Sequence, residues 1–357
     1  MTSAPSQKRR VAILGATGAV GQAFVRLLAD HPWFEIAALA ASERSAGKSY
    51  AEAVRWVGDD APPAGVAGMP VLPCDPAALD AELVFSALDA TAAGEVEPAF
   101  ARAGRIVLSN AKNYRMESDV PLLIPEVNPH HLEVLPAQRD RHGWTGAIVT
   151  NANCASIPAA MVLAPLHQKF GVRRLFMATL QAVSGAGYPG VPSLDILGNV
   201  IPFIRDEEPK IEIEVNKMLG HVSQGAIRPA PFAVTAHANR VPVEHGHTVC
   251  MSVEFEQSAG PDEVKAVLRE WTGAEEARHL PTSPARALVL RDEPDRPQPR
   301  RDRMEGNGMA VVVGRVRRDP VFHVKLVAMA HNIIRGAAGA SVLNAELMAA
   351  RGLLGRP

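Results

Sequence analysis

Val11-Ala12-Ile13-Leu14-Gly15-Ala16-Thr17-Gly18-Ala19-Val20-Gly21 reads as a buried strand running straight into a glycine-rich turn. The four apolar residues 11–14 form a continuous run, the pattern of a strand covered on both faces. Beyond the turn, Val20, Phe24, Leu27 and Leu28 recur at helical spacing. A second apolar run, Ile36–Ala41, completes strand, turn, helix and strand within about thirty residues, the setting a dinucleotide fingerprint needs. Glycine at 15 and 18 lets the backbone turn tightly and approach a pyrophosphate. Glycine at 21 lets helix and strand pack closely, and the helix N-terminus offers free N–H groups to the anion. The spacing is GxxGxxG rather than GxGxxG. Gly15, Thr17, Gly18, Ala19, Val20 and Gly21 are therefore the candidate phosphate loop.

The second strand is followed by Ser42-Glu43-Arg44-Ser45. Hydroxyls with an arginine suit a ribose 2′-phosphate, whereas an acid at this place suits the 2′-hydroxyl. Ser42, Arg44 and Ser45 favour NADP, and Glu43 keeps NAD open.

Further apolar runs at Leu83–Leu88, Arg105–Ser109, Leu122–Ile124 and Gly146–Thr150 alternate with helix-like stretches, as expected of an open, mainly parallel sheet. From Arg173 onward the runs lengthen (Leu175–Val183, Thr248–Glu256, Ala310–Val316), which suits a mostly antiparallel α+β unit. The expected fold is α/β, a Rossmann-like doubly wound sheet followed by an α+β domain for catalysis and dimerisation. The expected boundaries are 1–153 for the nucleotide domain, rejoined by a closing helix at about 337–357, and 154–336 for the second domain. Pro284–Met304, rich in proline and charge, reads as an exposed loop.

The remaining composition mainly excludes. The 357 residues are 47% hydrophobic with a formal charge of −1, so the chain is neither disordered nor built around a nucleic-acid-binding basic face. At 5% aromatic content, a base-stacking platform is not expected either. The three cysteines, Cys74, Cys154 and Cys250, are widely spaced, which argues against a disulfide scaffold or a metal cluster and for a reducing, cytoplasmic compartment. Lys8, Arg9 and Arg10 before the first apolar run imitate a signal peptide, but that run breaks at Gly15. No membrane span is expected.

Cys154 is the cysteine with a chemical setting. It follows the apolar run ending at Thr150 and precedes a long apolar helix pattern from Ile157 to about Phe170. Helix N–H dipoles at such a junction lower a thiol's pKa, and Asn153 or nearby amides are placed to donate to an oxyanion. A thioester-forming cysteine also needs a base within reach. The segment Asn239-Arg240-Val241-Pro242-Val243-Glu244-His245-Gly246-His247 carries an arginine and two candidate histidines around a turn, and the residues alone do not separate His245 from His247.

With these motifs in place, the chain resembles the aspartate-semialdehyde dehydrogenases, most closely their archaeal and fungal branch. The likeness runs from the glycine loop through Ser109–Met116, Ile124–Asn128, the Asn153-Cys154 pair and Gln181–Gly187. It continues through Arg240 with His247, Arg296–Arg300, Glu305–Met309 and Arg335–Asn344. It implies an NADP enzyme in which a cysteine attacks aspartyl 4-phosphate, expels phosphate and holds the acyl group as a thioester until reduction gives aspartate semialdehyde. By this resemblance Cys154 is the nucleophile, His247 the acid/base and Gln181 the group that orients the substrate. Arg240 would clamp the α-carboxylate, Glu214 would face the α-amino group with Glu212 as its rival, and Arg115 and Lys217 would hold the phosphate. Ser184 and Gly185 would bind the cofactor, and Asn332 would lie beside the nicotinamide. A malonyl-CoA reductase, or another acyl-phosphate or acyl-CoA reductase of the same family, is the alternative. The resemblance also implies homodimers or homotetramers.

Overall fold

The computed structural model describes residues 7–58 and 60–354. Residues 1–6 and 355–357, which the expected nucleotide domain includes, lie outside the described residues.

Six short strands build the first sheet: β1 (Arg9–Leu14), β2 (Phe34–Ala40), β3 (Val71–Leu72), β4 (Leu83–Ser86), β5 (Ile106–Ser109) and β6 (Ala147–Thr150). Their order is β3-β2-β1-β4-β5-β6 and every pairing is parallel, the doubly wound arrangement. All residues of β4, β5 and β6 are buried, because helices cover both faces. The longer helices of this half are α1 (Ala19–Leu28), α2 (Ala90–Arg102) and α3 (Leu135–His142). The strand order reverses between β1 and β4, and this switch point opens a crevice at their carboxyl ends.

Leu122–Ile124 does not become a strand. Leu122 makes a single bridge to Thr150, and Pro121 and Pro125 on either side remove the donors a longer ladder requires.

Helix α4 (Ser156–Phe170) leads into the second half. Strand β7 (Val172–Gln181) is followed by α5 (Glu207–Met218) and the hairpin β8 (His221–Ser223) with β9 (Ala226–Arg228). Then come β10 (Ala233–Arg240), β11 (His247–Phe255), α6 (Pro261–Glu270), β12 (Leu288–Leu290), β13 (Val311–Arg318) and β14 (Val324–Ala330). The second sheet has the order β10-β7-β11-β14-β13-β12. Its three central pairings are antiparallel, and the outer pairs β10–β7 and β12–β13 are parallel. Burial alternates along β11, so one face carries Val249, Met251, Val253 and Phe255 into a core shared with α4, α5 and α6. The other face leaves Thr248, Cys250, Ser252 and Glu254 partly open.

The 284–304 segment is not the exposed loop expected. Its strand β12 pairs with β13 at the sheet edge, and the buried Asp302 carboxylate takes hydrogen bonds from Arg296 Nε at 2.8 Å and from the backbone of Gln298 at 2.6 Å. The arginines that read as solvated are in part tied to one internal acid.

The chain finally returns. Helix α7 (Gly339–Ala350) sends Val342, Leu343, Leu347 and Met348 into the same core as Val11, Ile13, Phe24 and Phe85 of the first half. Among the described residues no helix is long and apolar enough to cross a membrane.

Candidate active site

A cleft of about 510 Å³ lies at the crevice of the first sheet and extends to the end of β7. It brings together Ala19, Val20, Arg115, Cys154, Gln181, Ser184, Gly185, Arg240 and Asn332 from the expected set. Glu207, Lys210 and Lys112 also line it, and sequence reasoning had not singled them out.

One end of the cleft is built for a close-lying ligand. Gly15 has φ +71°, and a Cβ there would stand 2.7 Å from the Ala87 carbonyl oxygen. A Cβ at Gly21 would stand 2.2 Å from Gly15 O, so helix and turn touch backbone to backbone. No side chain caps α1, whose N-cap residue is Gly18, and its first N–H groups remain available to an anion. The turn is tied to β2 through Ala16 N–H on Ala40 O at 3.0 Å. Just past that strand, Ser42 and Arg44 are exposed and Ser45 half-buried. This cradle fits the pyrophosphate and ribose of a dinucleotide.

Cys154 sits in the turn between β6 and α4. Asn153 fixes that turn: its Oδ1 accepts from Ala155 N at 2.8 Å and Ser156 N at 3.2 Å, its Nδ2 donates to Glu207 Oε1 at 2.7 Å, and its backbone N–H donates to Glu214 Oε2 at 2.6 Å. With one Nδ2 hydrogen given to Glu207, the Asn153 side chain is in part committed to this turn rather than wholly free as an oxyanion donor. Gly336 presses on the cysteine from the other side, since a Cβ there would stand 2.5 Å from Cys154 Cβ. The thiol also departs from expectation. Burial, then the nearby Glu207 carboxylate, push its pKa up to about 12 despite Arg115 and Arg240. Desolvation outweighs the helix terminus, so the resting group is a thiol.

Helix α5 separates two similar-looking pairs. Glu207 Oε1 accepts from Gln181 Nε2 at 3.0 Å as well as from Asn153, and Lys210 Nζ donates to Glu207 Oε2 at 3.0 Å. Burial raises the Glu207 pKa, but Lys210 and the donating amides outweigh it and hold the carboxyl below the ordinary value. Glu214 and Lys217 lie two turns further along and do not line the cleft. Glu214 Oε1 takes Arg115 Nη1 at 2.9 Å, behind the lining. Lys217 Nζ is sealed among the carbonyls of Arg115, Glu117 and Val120 at 2.5, 2.6 and 2.8 Å, so it is not placed to meet a phosphate. Burial lowers its pKa to about 7. Glu212 accepts from Ala236 N–H at 3.0 Å on the edge strand β10, away from the cleft. The signal that would have found Glu207 and Lys210 is the repeated Glu-x-x-Lys at 207/210 and 214/217.

At the far wall, both peptide groups of Ala182 hold expected site residues. Its carbonyl accepts from Arg240 Nη1 at 2.8 Å, and its N–H donates to His247 Nδ1 at 3.1 Å. His247 lies fully buried beneath Gly185; burial and then Arg240 push its pKa down to about 3. His245 takes a different part: its Nδ1 is 2.9 Å from Ser184 Oγ, which also receives Asn332 Nδ2 at 2.9 Å.

Comparisons with known proteins identify the family. Residues 10–135 match the family model described as semialdehyde dehydrogenase, NAD binding domain, and residues 163–335 match semialdehyde dehydrogenase, dimerisation domain. The chain is 50% identical over 338 residues to an aspartate-semialdehyde dehydrogenase of Archaeoglobus fulgidus, covering 95% of this chain and 97% of the relative. It is 46% identical to one of Schizosaccharomyces pombe, covering 97% and 99%. Among solved structures it resembles the Candida albicans aspartate semialdehyde dehydrogenase with NADP, at a TM-score of 0.90 and 41% identity over 98% of this chain and 100% of that one.

Proposed function

Because the chain belongs to the aspartate-semialdehyde dehydrogenase family, we propose that it converts L-aspartyl 4-phosphate to L-aspartate 4-semialdehyde with NADPH, and the reverse with phosphate, through a thioester on Cys154. The observation that carries this reading is one cleft holding a thiol, a carboxylate and several cations beside a dinucleotide loop. Such a substrate presents one amine and two anionic ends, and the wall answers each. Arg240 suits the α-carboxylate, because a planar guanidinium pairs with it in bidentate fashion. Glu207, in place of the Glu214 expected, faces the α-amine. Arg115 and Lys210, the latter in place of Lys217, receive the phosphate, with Lys112 nearby. Gln181 orients the acyl group next to Cys154. Gly15, Thr17, Gly18, Ala19, Val20 and Gly21 hold the pyrophosphate, and Ser42, Arg44 and Ser45 the 2′-phosphate. Ser184, Gly185 and Asn332 border the nicotinamide. When bound, NADPH supplies the hydride that reduces the thioester carbonyl.

The malonyl-CoA alternative is disfavoured by Glu207, since malonate has no amine for that acid to meet. In this reading residues 1–153 with the closing helix form the cofactor half, and 154–336 pair two copies through the open face of the second sheet, as dimers or tetramers. The test follows nicotinamide absorbance with aspartate semialdehyde, phosphate and NADP, against malonate semialdehyde, coenzyme A and NADP. Turnover in the first assay is expected. Turnover only in the second, or full activity in Cys154→Ala, contradicts the reading.

A further inference from the structure

We propose that the cavity between the carboxyl end of α6 and residues 283–287 binds a small molecule carrying a carboxylate or phosphate on an apolar body, and that its occupancy reaches Cys154 through Glu126, Arg335 and Gly336. The proposal goes beyond the catalytic reading above and does not depend on it.

Two cavities of about 520 Å³ each flank the segment 270–278 and share no lining residue with the catalytic cleft. That volume is in the range of small-molecule sites. Glu126, Trp271 and Arg278 line both. The cavity on the side of residues 283–287 also has Arg269 and Arg286 in its wall. Arg269 is neutralised by Asp292, its Nη2 lying 2.8 and 2.6 Å from the two carboxylate oxygens. Arg278 and Arg286 keep their charge. Arg278 Nη2 donates to Gly273 O at 3.1 Å and Arg286 Nη1 to Arg269 O at 3.5 Å, and neither has a carboxylate partner among the described residues. Of the two acids in this wall, Glu126 is taken by Arg335, which leaves the exposed Glu270 against two guanidinium groups. The wall is therefore net positive, and guanidinium groups bind oxyanions through paired N–H donors. Trp271, packed at the edge of the second-half core, gives the apolar body of the ligand a surface to lie on.

This wall is joined to the thiol by close contacts. A Cβ on Gly273 would stand 2.8 Å from Glu126 Cβ, and Ala274 N–H donates to Glu126 O at 2.9 Å, so the 271–274 turn bears directly on Glu126. Glu126 in turn holds Arg335 through bonds of 2.7 and 2.8 Å, the two side chains being 4% and 1% exposed. The next residue is Gly336, where a Cβ would stand 2.5 Å from Cys154 Cβ. Each link is a packed or hydrogen-bonded contact, the kind of chain that carries coupling between sites. An occupant beside Glu126 excludes solvent from the edge of the ion pair, and the attraction between its charges strengthens as the local dielectric falls. Arg335 is then held more firmly, and Gly336 with it against the cysteine.

Two measurements test the proposal. In the first, benzoate and phenyl phosphate are titrated calorimetrically into the protein saturated with NADP and inorganic phosphate, with benzyl alcohol as the neutral control. Saturable binding of at least one anion is expected, the preferred one identifying the head group, and none of the alcohol. The exposed double variant Arg278→Gln/Arg286→Gln should bind it at least about tenfold more weakly, the loss of one charge-assisted contact. No saturable binding, or equal binding by the variant, overturns the site. The second follows iodoacetamide labelling of the Cys154 peptide by mass spectrometry in the cofactor-free protein. The anion that binds should slow labelling of the wild type by about fivefold, the lower end of ordinary coupling between sites, and leave the double variant unaffected. Unchanged or faster labelling of the wild type, or equal slowing in the variant, overturns the coupling. Neither measurement uses turnover, so failure of the catalytic reading, seen as absent phosphate-dependent activity, stands apart from failure of this one.

Discussion

Gly336 follows Arg335, whose guanidinium is held on Glu126 through two bonds of 2.7 and 2.8 Å in the interior, and this anchor leaves its Cα facing Cys154. A methyl group at 336 would meet Cys154 Cβ at 2.5 Å, so either the backbone or the thiol must move. We expect Gly336→Ala to lower kcat by about 10²-fold, the scale of an ångström's misplacement at a reacting atom. The thermal midpoint should change by only a few degrees; steady-state kinetics alongside a melting curve checks both. The position of Cys154 was legible because a strand followed at once by a helix is written in hydrophobic spacing. Its acidity was not, because desolvation comes from residues such as Gly336 that pack in from far along the chain.

Helix α5 spaces Glu207, Lys210, Glu214 and Lys217 along one face, two acid–base pairs seven residues apart. Only the nearer pair reaches the cleft; the farther pair anchors the Arg115 segment and the turn before Cys154. The two lysines should therefore fail differently. Lys210→Ala is expected to raise the KM for phosphate at least tenfold with an unchanged melting temperature. Lys217→Ala leaves three carbonyls without their donor and should cost about 3–5 kcal/mol of stability, read by urea denaturation. If Lys217→Ala folds normally and Lys210→Ala binds phosphate normally, the two roles have been exchanged. The sequence singled out the farther pair, because helical periodicity puts both pairs on one face and does not show how far along the helix the cleft lies; β10 and the Arg115 segment set that depth. The 284–304 stretch was misread for a related reason. Its charges look solvated until Asp302 is seen buried beneath them.

Among the described residues, burial lowers the pKa of several histidines, most strongly His131 in the first half and His247 and His331 in the second. Burial lowers them from 6.5 to about 3, about 3 and about 4 respectively. Because each folded value lies below the unfolded one, the unfolded chain binds more protons as pH falls below about 6.5. The stability these groups contribute is intact above that pH and drains away toward their folded values, by up to about 1.4 kcal/mol per pH unit for each. The melting temperature should fall clearly between pH 7 and pH 5, before most carboxylates titrate, and His131→Gln should shallow the fall. A midpoint that stays constant over this range would contradict the assignment. The doubly wound half was legible from its first forty residues, but its completeness was not, because part of its interior comes from α7. The half that leaves the ribosome first must wait for side chains made some two hundred residues later before its core closes. Until then it exposes an unfilled apolar seam to chaperones and proteases, and a chain that stalls after β14 should be cleared rather than accumulate as a nucleotide-binding fragment.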